Sequence, residues 1–469
     1  MEHRIAKPPS NPWRVLFLLL LANLLNFFDR TIPAILNEPI RLEWGLNDLQ
    51  LGIIAAAFTV VYAVAGLPLG RLADRGSRAR VMGWGIAVWS AFTAANAFAW
   101  SFGSFLVARM GVGVGEASYA PAANSLIGDL FPAERRSRAL GIFMLGLPMG
   151  LMLAFFTVGP MVAAFGDWRA PFVVAALPGL LLAALMFLLR EPRRGASERV
   201  RGAGAGAVGT AEGSAGSAAA AGGEAPAAGP VRTVLRTRTI AWIILSGVAV
   251  NFAAYAGNGF LVPMIQRYFG LELTAAAVTT GFIVGVTGLV GLTAGGWVAD
   301  KVYQRSERGR LVFGAGSLVV AALATAAALA SGRGSVALFA ALFGLGWLAQ
   351  YSYYTSVYPA IQDVVEPRLR ATAVALYFAG MYLLGGAFGP VVVGGLSDAL
   401  ARSAMAAAGA TEMTDAFRAV GLHDAMFLIP VSLLLTAVFV FLASRSFAAD
   451  ARRMQGRLAA GARGAPEAV

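Results

Sequence analysis

Four charged side chains lie inside stretches of sequence that are otherwise apolar: Asp29 and Arg30 in one, Arg109 and Glu116 in another. Carboxylates and guanidinium groups in such a setting can take up and release protons or bind an anion. A charge at the centre of a bilayer costs at least ~2.5–3.5 kcal/mol on insertion scales, so such groups usually face a wet cavity or one another. On a helix, Glu116 lies about two turns beyond Arg109 on the same face. At ~1.5 Å per residue, Asp29 sits about 10 Å from the end of its stretch near Leu36. Arg109 and Glu116 sit roughly 8 Å and about 18 Å from Ser104, where theirs begins. Asp29 and Arg109 are therefore expected at similar depth. The neighbours Asp29 and Arg30 point about 100° apart and need not share a partner. Three roles fit these residues. Asp29 and Glu116 can be protonatable carboxylates facing a cavity, with Arg109 biasing them, since a nearby cation favours the charged form and desolvation the neutral one. The four can instead be a static ion pair between helices, or Arg30 and Arg109 can bind an anionic substrate. Proton coupling is the preferred reading.

The elements that must carry these residues are legible in the composition. The 469 residues are 58% hydrophobic and only 13% charged, about half the charge of an ordinary soluble domain. Twelve apolar stretches approach or exceed the ~20 residues needed to cross a bilayer, at 15–36, 49–70, 81–100, 104–127, 139–164, 171–189, 240–264, 275–299, 311–330, 335–361, 371–397 and 425–443. They lack the two-residue alternation of a membrane barrel, so each is expected to be a helix. The first has no small-residue cleavage site and is expected to span, unlike a signal peptide. The N-terminus, the even-to-odd loops and the C-terminal tail hold 29 Lys/Arg against 14 Asp/Glu; the opposite loops hold six Arg against nine acids. By the positive-inside rule the first set, with both termini, is cytoplasmic. The net charge of +12 is thus a topology signal and not a nucleic-acid footprint.

Other chemistries find little support. Zero Cys excludes disulfides, thiolate metal sites and cysteine nucleophiles. The two histidines, His3 and His423, fall near the N-terminus and in a late loop. There is no zinc-protease motif and no phosphate-binding loop, so neither an enzyme nor a bound cofactor or metal is expected. The second half has no charge inside its spans. It offers Asn251, Tyr255 and Asn258 on one span and Tyr351, Tyr354 and Tyr358 on another, each set at the three-and-four spacing of one helical face. Tyrosines pair an apolar ring with a hydrogen-bonding tip, which suits an amphiphilic or aromatic substrate. Packing between helices or an interfacial aromatic belt is the alternative.

The chain divides into an N-terminal six-helix bundle (1–190), a Gly/Ala-rich linker (191–239), a C-terminal six-helix bundle (240–445) and a cytoplasmic tail (446–469). The linker reads as flexible. The two bundles echo one another. Gly70-Arg-Leu-Ala-Asp74-Arg75-Gly-Ser-Arg78 is matched by Gly296-Trp-Val-Ala-Asp300-Lys301, at an offset of 226 residues. Gly159-Pro160 recurs as Gly389-Pro390 at an offset of 230, and Pro132, Arg135 and Arg138 are echoed by Pro367, Arg368 and Arg370. Duplicated units around a midplane site are an architecture of secondary transporters.

The Gly70 to Arg80 segment, with its weaker copy at Gly296 to Arg305, resembles the signature of the major facilitator superfamily, over all twelve spans. The resemblance implies that the loop Asp and Arg latch the cytoplasmic ends of the two halves while the cavity faces outward. Here Gly70, Asp74, Arg75, Arg78, Asp300 and Lys301 would serve. The plainer alternative is a basic loop that sets topology. A narrower resemblance is to the spinster-like branch, whose members include exporters of sphingoid or lysophospholipid substrates. It rests on Asn26-Phe-Phe-Asp29-Arg30, on Arg109-Met-Gly111-Val-Gly113-Val-Gly115-Glu116-Ala-Ser-Tyr119 and on Gly146-Leu-Pro148-Met-Gly150. The anion:cation symporter branch shares the first two patterns, and the third favours spinster. The resemblance implies a proton-coupled exporter of a lipid-like amphiphile working by alternating access, with Asn26 and Tyr119 joining the tyrosines in the substrate cavity. Organic-anion symport and proton-coupled drug or metabolite export are the alternatives. The fold usually functions as a monomer. The excess of Arg over Lys points to a GC-rich bacterial genome and so to an inner membrane. The expected partners are the bilayer, protons and a small amphiphile.

Overall fold

A computed structural model describes residues 11–192, 228–366 and 369–463. Helix is the only regular structure among them, as expected where lipid offers the backbone no hydrogen-bond partner. In chain order the helices are α1 (Pro12–Trp44), α2 (Asp48–Arg75), α3 (Arg78–Ala97), α4 (Phe102–Ala117), α5 (Tyr119–Leu130), α6 (Ala133–Met144), α7 (Gly146–Phe165) and α8 (Ala170–Phe187). Then follow α9 (Ala228–Leu235), α10 (Arg238–Phe269), α11 (Leu273–Gly281), α12 (Thr287–Tyr303), α13 (Gly309–Ala330) and α14 (Val336–Val364). The chain closes with α15 (Arg370–Ala379), α16 (Phe388–Ala407), α17 (Asp415–Ala425) and α18 (Leu428–Arg463).

Among the described residues ten helices are long and apolar enough to cross a membrane unaided. The other two expected spans fall on α3, which opens with Arg78 and Arg80, and on the α4–α5 pair, interrupted at Ser118. The fold is all-α and polytopic. Interruptions recur elsewhere. The chain turns between α6 and α7 at Leu145, and π-helical segments at Phe282–Val286 and Gly380–Gly386 interrupt the eighth and eleventh spans. The expected linker falls mostly on residues 193–227, outside the described residues; its final part is α9 and the turn into α10. The segment expected as a tail is helical as far as Arg463, because α18 runs on beyond its apolar stretch. There Asp450 accepts hydrogen bonds from the backbone N–H of Thr239 (3.0 Å) and its hydroxyl (2.8 Å), capping the first turn of α10.

Two compact units emerge from the contacts. The first comprises 11–32, 61–154 and 165–192 of the described chain; the second comprises 33–60, 155–164 and everything from 228 onward. Their borders fall inside α1, α2 and α7. The last part of α1 and the first part of α2 therefore belong with the C-terminal helices.

Each unit solves the same local problem in the same way. In the first, the Asn23 amide donates to the carbonyl of Phe143 (2.9 Å), just before the α6–α7 interruption. In the second, the Asn251 amide donates to the carbonyl of Met381 (2.9 Å), inside the π segment. Beside each bond a glycine lets two helices touch. A Cβ on Gly150 would lie 2.3 Å from the carbonyl oxygen of Leu24, and one on Gly389 would lie 2.6 Å from that of Phe252. Broken helices leave carbonyls without their helical donors, and in a bilayer a neighbouring side chain must supply one. Asn251→Leu is therefore expected to cost about 1–3 kcal/mol by stranding a buried carbonyl. A lowered melting temperature of the purified protein in detergent would register it, and unchanged melting would refute the assignment.

Candidate functional site

The four charges expected inside the bilayer converge within the first unit. The α1 helix presents Asn26, Asp29 and Arg30; the α4 helix presents Arg109 and Glu116 from one face. Arg30 Nε donates to Glu116 Oε2 at 2.5 Å, and the Glu116 side chain is fully buried. The Arg30 guanidinium lies 4.2 Å above the Tyr62 ring and 5.2 Å from that of Phe27. Aromatic faces attract such a cation. Asp29 is wholly buried, and the Thr93 hydroxyl of α3 donates to its Oδ2 at 3.3 Å. Arg109, also buried, interacts electrostatically with Asp29 and Glu116 together.

The cluster sums to zero charge, as burial demands. The depth estimate placed Asp29 level with Arg109, and the two interact electrostatically. The direct bond runs from Arg30 to Glu116, because the divergence of Asp29 and Arg30 aims one side chain at α3 and its neighbour at α4. Asp29 Oδ1 and Glu116 Oε1 are both buried without a hydrogen-bond partner among the described residues. Each is a carboxylate oxygen placed where a proton would satisfy it. Asn26 is buried beside Glu116. Tyr119 is buried too, and its hydroxyl donates to the Leu19 carbonyl at 2.5 Å, a packing bond between α5 and α1.

The signature loop turns its last arginine inward. Ser77 caps α3, its hydroxyl accepting from Arg80 N at 3.2 Å. Arg78 is 1% exposed and bonds Asp129 and the Ser125 carbonyl (3.2 Å) of α5. Glu191, just past α8, accepts from Ala79 N (2.7 Å), from the Ser77 hydroxyl and from Arg78 (3.5 Å). Arg78 thus ties three elements of its own unit together. Gly70 is buried and Arg75 exposed, while the Asp74 side chain lies outside the description. In the second unit Asp300 pairs with Arg310 (3.0 Å), and Lys301 rests 4.4 Å over the Trp297 ring.

The expected aromatic face in the second unit is continuous. Tyr354 packs against Tyr351, Tyr353 and Tyr358 at ring separations of 6.2, 5.2 and 5.8 Å. Tyr358 continues to Tyr377 and Phe378, Phe378 to Tyr382, and Tyr382 to Tyr255. Tyr351, Tyr354, Tyr358 and Tyr255 remain partly exposed. Behind them, the hydroxyls of Ser246, Tyr353 and Tyr377 form a buried chain with 3.0 Å steps. Asn251 is committed to Met381, whereas Asn258 Oδ1 is buried with no partner among the described residues.

One polar network escaped sequence reasoning. Arg267, at the end of α10, bonds Glu38 (2.6 Å) at the end of α1 and Asp48 (2.8 Å) at the start of α2. Asp48 also accepts from Ser397 (2.6 Å), while Asp398 accepts from the backbone N–H groups of Asp48 and Leu49, capping α2 from another helix. Arg41 pairs with Glu38 and with Asp415 of α17. In the sequence these residues stand at span ends and in loops, where they read only as topology charges.

Membrane-spanning helices, a duplicated bundle and a neutral nest of charges at membrane depth define a polytopic transporter. The chain belongs to the Major Facilitator Superfamily, whose family model matches residues 19–390, and it resembles that superfamily's spinster-like branch. It is similar to a bacterial homolog of the human lysosomal transporter spinster, solved in an inward-facing, unoccupied conformation. Their TM-score is 0.80 at 26% identity, over 95% of this chain and 99% of that one. Among curated relatives, an MFS-type efflux pump of Mycolicibacterium smegmatis is 28% identical over 85% of this chain and 87% of its own. The sphingosine-1-phosphate transporter SPNS2 of Mus musculus is 27% identical over 92% of this chain and 76% of its own.

The loop clamp carries a pH signature. Burial pushes the Glu191 carboxyl up, but bonds from Ser77, the Ala79 N–H and Arg78 outweigh it and hold the group below the usual glutamate range. A carboxylate depressed in the folded state stabilises above its unfolded value, about 4.3, and that contribution fades as pH falls through its folded one. Glu191→Gln should therefore melt lower than wild type at neutral pH, with the gap closing in acid. An equal gap at every pH would contradict the clamp.

Proposed function

We propose that this protein is a proton-coupled secondary transporter that exports a lipid-like amphiphile, of lysophospholipid or sphingoid type, by alternating access. The observation that carries the reading is the cluster of Asp29, Arg30, Arg109 and Glu116, whose formal charges sum to zero and in which two buried carboxylates each keep one oxygen without a hydrogen-bond partner among the described residues. Asp29 and Glu116 take up and release the proton. Arg30 holds Glu116 when that carboxylate is charged and is free to turn away when it is protonated. Arg109 favours the charged forms of both carboxylates while burial favours their neutral forms, so the two influences oppose one another at the site. No cofactor is invoked, and the proton gradient supplies the energy.

Both termini lie on the cytoplasmic side of a bacterial inner membrane in this reading. The network around Arg267, Glu38, Asp48 and Asp415 then stands on the outer side and closes it, since parting those helices strands several buried charges at once. Gly70, Asp74, Arg75, Asp300 and Lys301 serve the opposite, cytoplasmic side as the latch that forms when the cavity faces outward. Arg78 stiffens the loop that carries Asp74. The partly exposed tyrosines of α14, with Tyr255 and Asn258, line the path of the substrate, whose apolar chain the rings accept and whose polar head the hydroxyls and amides meet. The working unit is a monomer. A second reading, proton-driven efflux of drug-like amphiphiles, is favoured by the relative of that printed description and would use the same coupling residues. Binding of organic anions by Arg30 and Arg109 is disfavoured by the commitment of Arg30 to Glu116.

The deciding experiment is lysophospholipid translocation in proteoliposomes, with and without an imposed pH gradient, for wild type and Asp29→Asn. The expected result is several-fold stimulation by the gradient in wild type and none in the variant, with both proteins folded. Folded wild type that moves no lysolipid across a broad panel would overturn the substrate assignment. A variant with an unchanged gradient response would remove Asp29 from coupling.

A further inference from the structure

We infer that Thr93 of α3 is a positioning residue of the coupling site, holding Asp29 through the hydrogen bond from its hydroxyl to Oδ2. This deepens the proton-coupling reading and rests on it. Thr93 is 1% exposed, and its Oγ1 lies 3.3 Å from Asp29 Oδ2. At so buried a site, a donated hydrogen bond to a carboxylate is among the stronger interactions that can stabilise its charged form.

The other groups that face Asp29 divide by element. Arg109 and Glu116 act from α4, one attractive and one repulsive; Trp89 stands one turn before Thr93 on α3; Arg30 follows on α1 itself and is turned toward Glu116. Opposing charges from α4 partly cancel at Asp29, while Thr93 and, one turn before it, Trp89 act from α3 in favour of its charged form. Protonation reverses the bond's logic. A neutral carboxyl group has its own O–H, and the Thr93 hydroxyl can then turn to a backbone carbonyl one turn back on its own helix, as buried threonines commonly do. The residue therefore favours the charged state while costing the neutral state little.

The packing of α3 is arranged to deliver this side chain. Its first turn is fixed by Ser77, Arg78 and Glu191, as described above. Midway along, α3 meets α4 at van der Waals limits: a Cβ on Gly115 would lie 2.6 Å from the Trp89 backbone nitrogen and 2.8 Å from the Gly85 carbonyl oxygen. With a larger residue at 115 the two helices would separate, and Thr93 would be drawn away from Asp29. Gly115, with Gly111 against the Phe92 ring, thus sets how closely α4 approaches the helix that carries Thr93.

The test compares wild type, Thr93→Val, Thr93→Ser and Asp29→Asn for gradient-driven flux across external pH. Valine keeps the shape and removes the donor. The hydroxyl favours the charged carboxylate, so its loss should move the half-maximal point of the flux profile to higher pH, on the order of one unit. Serine should restore the wild-type profile. Asp29→Asn should show no titration. A parallel measurement guards against a variant that folds poorly. In pH-difference infrared spectra, the carboxyl C=O band that Asp29→Asn abolishes should shift in Thr93→Val and return in Thr93→Ser. An unmoved profile with an unmoved band in Thr93→Val would overturn the role of Thr93 while leaving Asp29 in place. A wild type without any pH-dependent flux or Asp29 band would instead overturn the coupling reading beneath it.

Discussion

Water is missing from the core of a bilayer, and every polar group placed there must find its partner in the protein. Asp29, Arg30, Arg109 and Glu116 obey this rule as a set of zero net charge, with Arg30 and Glu116 in direct contact at 2.5 Å. Among the described residues Asp29 Oδ1 and Glu116 Oε1 keep no hydrogen-bond partner, and the proposed coupling role rests on that. Removing either member of a buried pair leaves an uncompensated charge, typically at a cost of 3–5 kcal/mol. A proton arriving on a carboxylate removes a charge in the same way, so protonation and the position of the arginines are tied together energetically. A site of this kind cannot bind a proton without changing what its helices prefer to do.

The same constraint explains the broken helices. A transporter must bend its helices, and each bend frees carbonyls that lipid cannot satisfy. Asn23 and Asn251 answer this identically in the two units, donating to Phe143 and Met381 with a glycine contact alongside. Their offset of 228 residues falls between the 226 and 230 of the sequence echoes, so the duplication extends to the hydrogen bond that makes a bend tolerable. The halves differ in what they carry. The first has charges at membrane depth and the second has a wall of tyrosines, a division suited to coupling in one and contact with an amphiphile in the other.

Much of this was legible in the chain itself. Apolar runs of the right length gave the spans, the Gly70–Arg78 motif and its copy at Gly296 gave the family, and the cost of buried charge singled out the four residues that meet. Pairing was harder. Depth alone set Asp29 level with Arg109, while the bond from Arg30 to Glu116 depends on the rotation of α1 about its axis, which a count of residues leaves open. Thr93 was invisible because a threonine in an apolar helix is ordinary until α3 is known to touch α1. The Arg267 network was hidden for a related reason: charges at span ends carry a topology signal strong enough to mask a structural one. Asn251 stood on a face that invited a substrate role, and only the π segment beside it reveals the carbonyl it serves. The continuation of α18 through Arg463 reflects Asp450 reaching back to Thr239, a contact more than 200 residues away in sequence.

The central claim is that the buried cluster exchanges a proton as the substrate binds or leaves. The most direct measurement is the number of protons released or taken up when a lysophospholipid is added to purified wild-type protein in weakly buffered detergent, followed with a pH indicator over a range of starting pH. A pH-dependent exchange approaching one proton per protein is expected, abolished in Glu116→Gln and Asp29→Asn. Saturable binding with no proton exchange at any pH would contradict it, and would leave the four charges as a static tie between α1 and α4.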